Sequence, residues 1–193
     1  MGAAIEILMN EHRVIEQAID ALVAFTDEVQ RGSGDRAELG RFVRFIRGFA
    51  DVWHHGKEED ILFRAMGRAG FPTQGGPVAV MLMEHDIGRA HVRELDRLAG
   101  QAGAWTEADR GRVAQEALGY ASLLRAHIHK EDEILYPMAE ARLPPELMEE
   151  VDRDCETFER RQPAAAEHQE LRLLADELSA RHLPARGASA ASP

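Results

Sequence analysis

Two stretches decide the fold of this chain: HHGKEEDILF at residues 54–63 and HIHKEDEILY at residues 127–136. They align when the sequence is shifted by 73 residues, and the same shift places Glu11-His12 on Glu84-His85. The lone histidine precedes the stretch by 42 residues in both halves. The sequence therefore predicts a pair of helices that is used twice.

Apolar residues recur at alternating spacings of three and four, which predicts helices over about residues 3–31, 35–70, 78–100 and 106–142. Asp35 and Thr106 are expected to cap the second and fourth helices, with Glu38 completing a box-like start at the second. Pro137 is expected to loosen the fourth helix one turn earlier, because proline removes a backbone donor. The expected seams are Ile5, Leu8, His12, Ile15, Ile19 and Leu22; Val43, Ile46, Ala50, His54, Glu58 and Ile61; Val78, Met81, His85, Gly88, Val92 and Leu95; and Val113, Ala117, Tyr120, Leu124, His127, Glu131 and Ile134.

The expected fold is all-α. Short loops make sequential helices antiparallel, so residues 1–142 are predicted to form an up-down-up-down four-helix bundle built from the duplicated helix pair. Residues 143–183 are predicted to be a C-terminal helical extension that packs on the bundle or forms a homodimer surface. Residues 184–193, rich in Ala, Ser and Pro, are predicted to be a disordered tail.

Composition excludes several classes of function. The net charge of -11 disfavours nucleic acid and anionic membrane as partners. No run of 18 apolar residues is present, so no membrane span is expected. The single cysteine, Cys155, and the absence of a basic start typical of a signal peptide favour a cytoplasmic location.

The polar residues that interrupt the seams predict a metal centre. A His and a Glu four residues apart lie on the same helix face and can converge on one cation. With the lone histidine of the neighbouring helix, each half supplies two imidazoles and one carboxylate, a donor set found at non-haem iron sites with open positions. The predicted ligands are His12, His54, Glu58, His85, His127 and Glu131. Two such sets facing each other suit a pair of metal ions about 3.5–4 Å apart, bridged by the carboxylates and by a solvent oxygen.

The repeat also ranks the competing candidates. His55 and His129 have glutamates at the correct spacing, but their counterparts are Ile128 and Gly56. We therefore expect both to flank the ligands or to support them from outside, with exposure to solvent favoured. His91 and Glu16 are weaker candidates for supplementary ligands. Trp53, Trp105 and Tyr120 are expected to be packing residues. Nothing in the repeat gives Cys155 or His168 a role.

The pattern resembles the hemerythrin-like cation-binding (HHE) family, whose motif is a lone His, then His-x-x-x-Glu, both repeated, with an acid and a Leu-Tyr-Pro ending. The motif stands here at residues 11–12, 54–59, 84–85 and 127–137, and the resemblance covers about residues 3–142. It implies a four-helix bundle with a di-iron centre, in which two non-haem iron ions are bridged by an oxo or hydroxo oxygen and by carboxylates.

Two departures separate this chain from the oxygen carriers of that family. Arg89 stands where those proteins have a second histidine on the third helix. Their last pair is His-x-x-x-x-Asp, and although Asp132 lies five residues after His127, Glu131 is the residue in register with Glu58. The resemblance therefore implies nitric-oxide response, iron handling or peroxide chemistry more than reversible oxygen transport.

The resulting hypothesis is a non-haem di-iron protein that binds or reacts with a small gas or peroxide: O2, NO or H2O2. If it is an enzyme, it is a peroxide- or NO-handling di-iron oxidoreductase. The alternative is iron storage, donation or sensing without turnover. A ferritin-like oxidase is disfavoured because its motif is Glu-x-x-His. A structural zinc or manganese site stays open, since His and Glu do not fix the metal.

Overall fold

The computed structural model describes residues 2–72, 74–161 and 164–184, and the regular structure of this part is entirely helical, without strands. The predicted disordered tail, apart from Pro184, lies outside the described residues. The helices are α1 (Ala3–Gln30), α2 (Arg36–Phe45), π1 (Ile46–His55), π2 (Glu58–Leu62), α3 (Phe63–Arg68), α4 (Pro77–Gly100), α5 (Glu107–Lys130), π3 (Glu131–Leu135), α6 (Tyr136–Arg142), α7 (Pro145–Glu159) and α8 (Ala164–His182).

The helix starts follow the predicted caps. The Asp35 side chain accepts a hydrogen bond from the backbone of Glu38, and Thr106 forms a reciprocal capping box with Asp109. The Glu38 side chain, expected to complete a box at Asp35, instead accepts hydrogen bonds from Arg41 and from His182 of α8. A tertiary contact thus replaces a local one at this position.

Wide π-type turns interrupt two of the long helical runs. The wide turns π2 and π3 begin at Glu58 and Glu131, the same position of the repeat, and π3 lies just before Pro137, where loosening was expected. They correct the predicted seams: Ile134 is 51% exposed and Ile61 is only half-buried, whereas the next residues, Leu62 and Leu135, are buried. A wider turn rotates the following residues relative to an ordinary α-helix, so the inward face moves by one position.

The core consists of two apolar clusters separated by a polar layer. One cluster extends from Ile15 on α1 towards the α1–α2 and α4–α5 loops, and the other surrounds Leu8, Met66 and Tyr136. His12 on α1 and His85 on α4 lie between the clusters, each preceded and followed on its helix by buried apolar residues. The predicted interruption of the seams is therefore a layer of buried polar side chains across the protein.

The helices of the extension pack on the preceding ones. α1 contacts α5 and α8, α4 contacts α2 and α5, and α7 lies against α1, π2 and α3. In the described part of the chain, no helix has both the length and the apolar character needed to cross a membrane.

Candidate metal centre

Buried His and Glu side chains converge in two overlapping clusters within the polar layer. In each cluster, one potential ligand atom from every residue lies within 4.8 Å of all the others. The first contains His12, His54, Glu58 and Glu131, and the second contains His55, Glu58, His85 and His127. All six predicted ligands are thus brought together, and their ligation of a metal stays a prediction.

The two glutamates lie between the clusters. Glu131 places one oxygen 3.3 Å from His12 Nε2 and the other 3.2 Å from His127 Nε2. Glu58 Oε2 lies 3.7 Å from His54 Nε2 and 3.5 Å from His85 Nε2. Each carboxylate therefore faces imidazoles from both halves of the repeat, which is the placement that a bridging ligand requires.

Within the described part of the chain, carboxylate oxygens at the inner face of this layer lack hydrogen-bond donors. Glu58 Oε2 and both carboxylate oxygens of Glu131 are buried and accept no hydrogen bond. Buried polar atoms without partners are costly, and a buried carboxylate must pair, neutralise or coordinate. The two carboxylates and the Nε2 atoms around them consequently fit one or two metal ions, and these residues are the ones that would hold them.

A ring of outer carboxylates orients the four seam histidines. Each Nδ1–H donates to a carboxylate, so each Nε2 is left facing the centre of the layer. The pairs are His12 with Asp132 at 2.7 Å, His54 with Glu11 at 2.9 Å, His85 with Glu59 at 2.7 Å and His127 with Glu84 at 2.8 Å. Metal-binding histidines are commonly oriented in this way, and the carboxylate also raises the basicity of the imidazole.

The outer carboxylates obey the 73-residue repeat, although sequence reasoning assigned them no role. Glu11 corresponds to Glu84, and Glu59 corresponds to Asp132. Glu59 and Asp132 each accept a hydrogen bond from a histidine of the other half. The signal was present in the aligned motifs, since these acids flank the predicted ligands in both copies.

The first half of the centre is covered by the C-terminal extension. Lys57 is fully buried and its ammonium contacts both Glu11 and Glu159 of α7. Trp53 donates to Glu11 at 2.9 Å and stacks on His168 of α8, with ring centroids 4.2 Å apart. Trp53, expected only to pack, and His168, given no role, therefore both support the acid that orients His54.

The corresponding network in the second half of the repeat is partly exposed to solvent. Lys130 pairs with Glu84, as Lys57 pairs with Glu11, but the Lys130 side chain is 32% exposed. No described residue of α7 or α8 pairs with it. The two halves thus share their hydrogen bonds but differ in what surrounds them.

Two further exchanges make the halves unequal. Tyr136, whose counterpart is Phe63, donates to Glu58 at 2.6 Å, which places a hydroxyl beside the first cluster. His55, whose counterpart is Ile128, is stacked on His85 with centroids 3.7 Å apart and is only 6% exposed. The expectation that His55 faces solvent is wrong. The cause lies in π1, whose wider turn separates neighbouring side chains by a smaller angle and lets His54 and His55 both face inwards.

The inner residues differ in their protonation. Burial, together with the negative charge of Glu131, raises the pKa of Glu58 well above 4.5. Burial lowers the pKa of His54, and the charge of His12 lowers it further. Burial and the neighbouring His85 lower the pKa of His55 to about 3.

His12 behaves differently from these two histidines. Burial alone would lower its pKa, but the contacts with Asp132 and Glu131 outweigh burial and raise the pKa to about 9. The polar layer thus contains neutral imidazoles together with a cationic one beside its acids.

Arg89 takes a supporting position. It donates to Asp51 at 2.8 Å and to Glu59 at 2.7 Å, the acid that holds His85. The hydrogen bonds from His85 and Arg89 hold the pKa of Glu59 at about 2, so this carboxylate stays ionised. Arginine thus secures an acceptor beside the centre at the place where oxygen carriers have another histidine.

The remaining candidates lie outside both clusters. His91 is bound to Glu116 at 2.6 Å, and Glu16 pairs with Arg13 at 2.9 Å, so both side chains have other partners. His129 is exposed, as expected. Tyr120 is buried and lines a cavity beside the second cluster.

That cavity has a volume of about 320 Å³. It lies between π1, α4 and α5, and its inner end is formed by His55, His85 and His127. Among the pockets described, it is the one that reaches the clustered histidines, and it reaches only the second cluster.

The model of the hemerythrin HHE cation-binding domain matches residues 3–139 of the chain. The chain belongs to this family. HHE domains bind cations, typically iron, and the buried His/Glu clusters of this HHE chain can hold a metal ion.

Relatives among curated proteins are distant. Uncharacterized proteins from Mycobacterium bovis and from two strains of Mycobacterium tuberculosis are each 26% identical to the HHE chain over 136 residues. The match covers 68% of this chain and 51% of each relative, so the chain spans about half the length of the curated relatives it matches. No solved structure matches it significantly.

Proposed function

We propose that this HHE protein holds two non-haem iron ions and uses them to bind or react with a small oxidant or gas: O2, NO or H2O2. The observation that carries the proposal is the convergence of buried imidazole Nε2 atoms on carboxylate oxygens that lack hydrogen-bond donors. His12, His54 and Glu58 would mainly serve one ion, and His85, His127 and Glu131 the other. Both glutamates would be able to bridge the ions, and His55, a member of the second cluster, is an additional ligand candidate.

The architecture proposed for this centre is an up-down-up-down four-helix bundle over residues 3–142. The equal 42-residue separations and the contacts of α1 with α5 and of α4 with α2 and α5 support it. Such a bundle brings one helix pair of each repeat to face the other, which places ligands from four directions around one interior point.

Iron is favoured over other metals by the donor set. Imidazole and carboxylate ligands with positions left for exchange are typical of non-haem iron, whereas the clusters contain no cysteine to favour a closed zinc site. Two bound iron ions supply redox chemistry and open coordination positions. The residues of the chain orient the ligands, exclude water and hold the Tyr136 proton near Glu58.

The test compares metal content with optical response. Protein purified without added metal is analysed for iron, zinc and manganese, then reduced and exposed separately to O2, NO and H2O2 while its absorption is recorded. We expect about two iron ions per chain, oxo-to-iron charge-transfer bands, and a response to at least one of the three reagents.

Matched variants locate the metal. His127→Ala should lose iron, whereas His129→Ala, which changes an exposed histidine two residues away, should retain it. Equal iron content in the two variants would contradict the site. Iron that transfers readily to a chelator, without an optical response to any reagent, would support storage or donation instead. Stoichiometric zinc or manganese would overturn the assignment of iron.

A further inference from the structure

The cavity beside the second cluster is larger than a diatomic ligand or peroxide needs. Its volume of about 320 Å³ is roughly ten times the share of a water molecule in the liquid, which is about 30 Å³. Pockets that bind small organic molecules begin at about 300 Å³. The volume therefore suits a molecule with several carbon atoms.

The walls of the cavity are mainly apolar. Ile46 of π1, Val92 of α4 and Leu124 of α5 contribute aliphatic surface, and Tyr120 contributes an aromatic ring. The imidazoles form the polar inner end. The lining is consistent with a ligand that is apolar along its body and polar at one end.

Gly88 keeps the cavity open. Its repeat counterpart, Ile15, has a large side chain that is buried in the apolar core. Gly88 lies in the interior of α4, where glycine destabilises a helix relative to alanine.

Neither the backbone nor packing requires glycine at this position. The φ of Gly88 is not positive, and a Cβ added there would meet Tyr120 Cε2 at 3.5 Å, an ordinary contact distance. The effect of glycine at this position is therefore to leave the cavity free of a side chain. Together with His55, which stands where the other half has Ile128, it gives the second cluster a cavity with a polar end.

The acids that line the cavity are paired with basic side chains. Asp51 is paired with Arg89, Asp96 with Arg47, and Glu84 with Lys130, so these acids are compensated. Arg93, which also lines the cavity, is exposed and forms no ion pair with any described residue. A cation held by His85 and His127 would add positive charge at the inner end, and carboxylate oxygens are common ligands of iron.

We propose that this cavity binds a small monocarboxylate with an apolar body, its carboxylate at the His55, His85 and His127 end and its body along Gly88, Val92 and Leu124. The position of the carboxylate rests on the proposed metal function, whereas the affinity of the apolar body rests on the cavity alone.

The test measures binding of acetate, butyrate, hexanoate and octanoate by isothermal titration calorimetry. In the iron-loaded protein we expect affinity to rise by up to about fourfold per added methylene, the factor that corresponds to burial of one methylene, until the cavity is full. Gly88→Leu, which fills the space, should abolish the dependence on chain length while acetate still binds. Gly88→Ala, which fits at contact distance, should reduce the dependence by less.

Two controls separate the possible failures. Gly111→Leu introduces the same side chain into α5 at a position where a new Cβ meets nothing within 4 Å, so it should leave the dependence unchanged. The same series on metal-free protein reports the cavity alone: the chain-length dependence should persist with weaker overall binding. Loss of iron binding with a persistent dependence would overturn the metal function but not the cavity. A wild-type affinity that does not vary with chain length, or varies equally in Gly88→Leu, would overturn the cavity proposal.

Discussion

Lys57 and Lys130 occupy equivalent positions of the repeat but different surroundings, which makes them a matched pair for mutagenesis. The Lys57 ammonium is fully buried between Glu11 and Glu159, whereas the Lys130 side chain is 32% exposed and pairs with Glu84 alone. Methionine preserves most of the aliphatic stem of lysine and removes its charge. We predict that Lys57→Met is far more destabilising than Lys130→Met.

The magnitudes follow from burial. Removal of one member of a buried ion pair costs about 3–5 kcal/mol, because the other charge is left without compensation. The loss at Lys57 should lie near the lower end, about 3 kcal/mol, because Trp53 and His54 still donate to Glu11. An exposed pair contributes about 0–1 kcal/mol, which is the loss expected for Lys130→Met.

The assay is urea denaturation of the metal-free proteins at neutral pH, followed by far-ultraviolet circular dichroism. With a dependence of about 1–3 kcal/mol per M urea, Lys57→Met should lower the midpoint by about 1 M or more and Lys130→Met by a few tenths. Equal shifts for the two variants would refute the burial of Lys57 beneath the extension. Glu159→Gln, on α7, should produce an intermediate loss, since it removes one of the two acids that Lys57 contacts.

Three further predictions concern separate parts of the molecule. Glu11→Gln should weaken iron binding by about 10–100-fold, because the amide is uncharged and has one acceptor oxygen, for which His54 must compete with Trp53 and Lys57. Competition with a coloured chelator measures this, and unchanged affinity would argue against the role of the acid. Tyr136→Phe should destabilise the metal-free protein by about 1–3 kcal/mol, because Glu58 loses its hydroxyl donor, and added iron should recover part of the loss in thermal denaturation. Burial alone would raise the pKa of Glu38, but hydrogen bonds from His182 and Arg41 outweigh it and lower the pKa below 4.5. The stability from this contact is therefore present above the ordinary pKa and is lost as the pH falls through the lowered pKa. Glu38→Gln should reduce the free energy of unfolding at neutral pH and make that free energy fall less steeply in acid. Parallel plots of unfolding free energy against pH for variant and wild type would contradict this.

Local chemistry explains why the helix limits could be predicted. Asp35 and Thr106 cap their helices through side-chain contacts within three residues, so a short window of sequence contains the information. The convergence of the seam histidines and glutamates could be predicted because the repeat gives each one an independent second copy. The inward shift at Leu62 and Leu135 could not, because residues three and four positions after a ligand both suit the inner face of an ordinary helix.

The same repeat explains what was missed. Ranking candidates by agreement between the halves dismissed His55, because its counterpart is Ile128. Agreement between the halves cannot identify residues that differ between them, although such residues determine the surroundings of the centre. The contacts of Glu159 and His168 with the Glu11 network bring together residues that lie far apart in the sequence, and no local pattern indicates them.

The wide turns π2 and π3 recur with the repeat. They begin at Glu58 and Glu131, positions that the repeat superimposes, whereas π1 has an ordinary α-helix at its equivalent position in α5. Each of the two turns contains an acid that orients the lone histidine of the other half, since Asp132 holds His12 and Glu59 holds His85. Neither half of the repeat can therefore orient its own lone histidine, and the ring of oriented imidazoles exists only when both halves fold against each other.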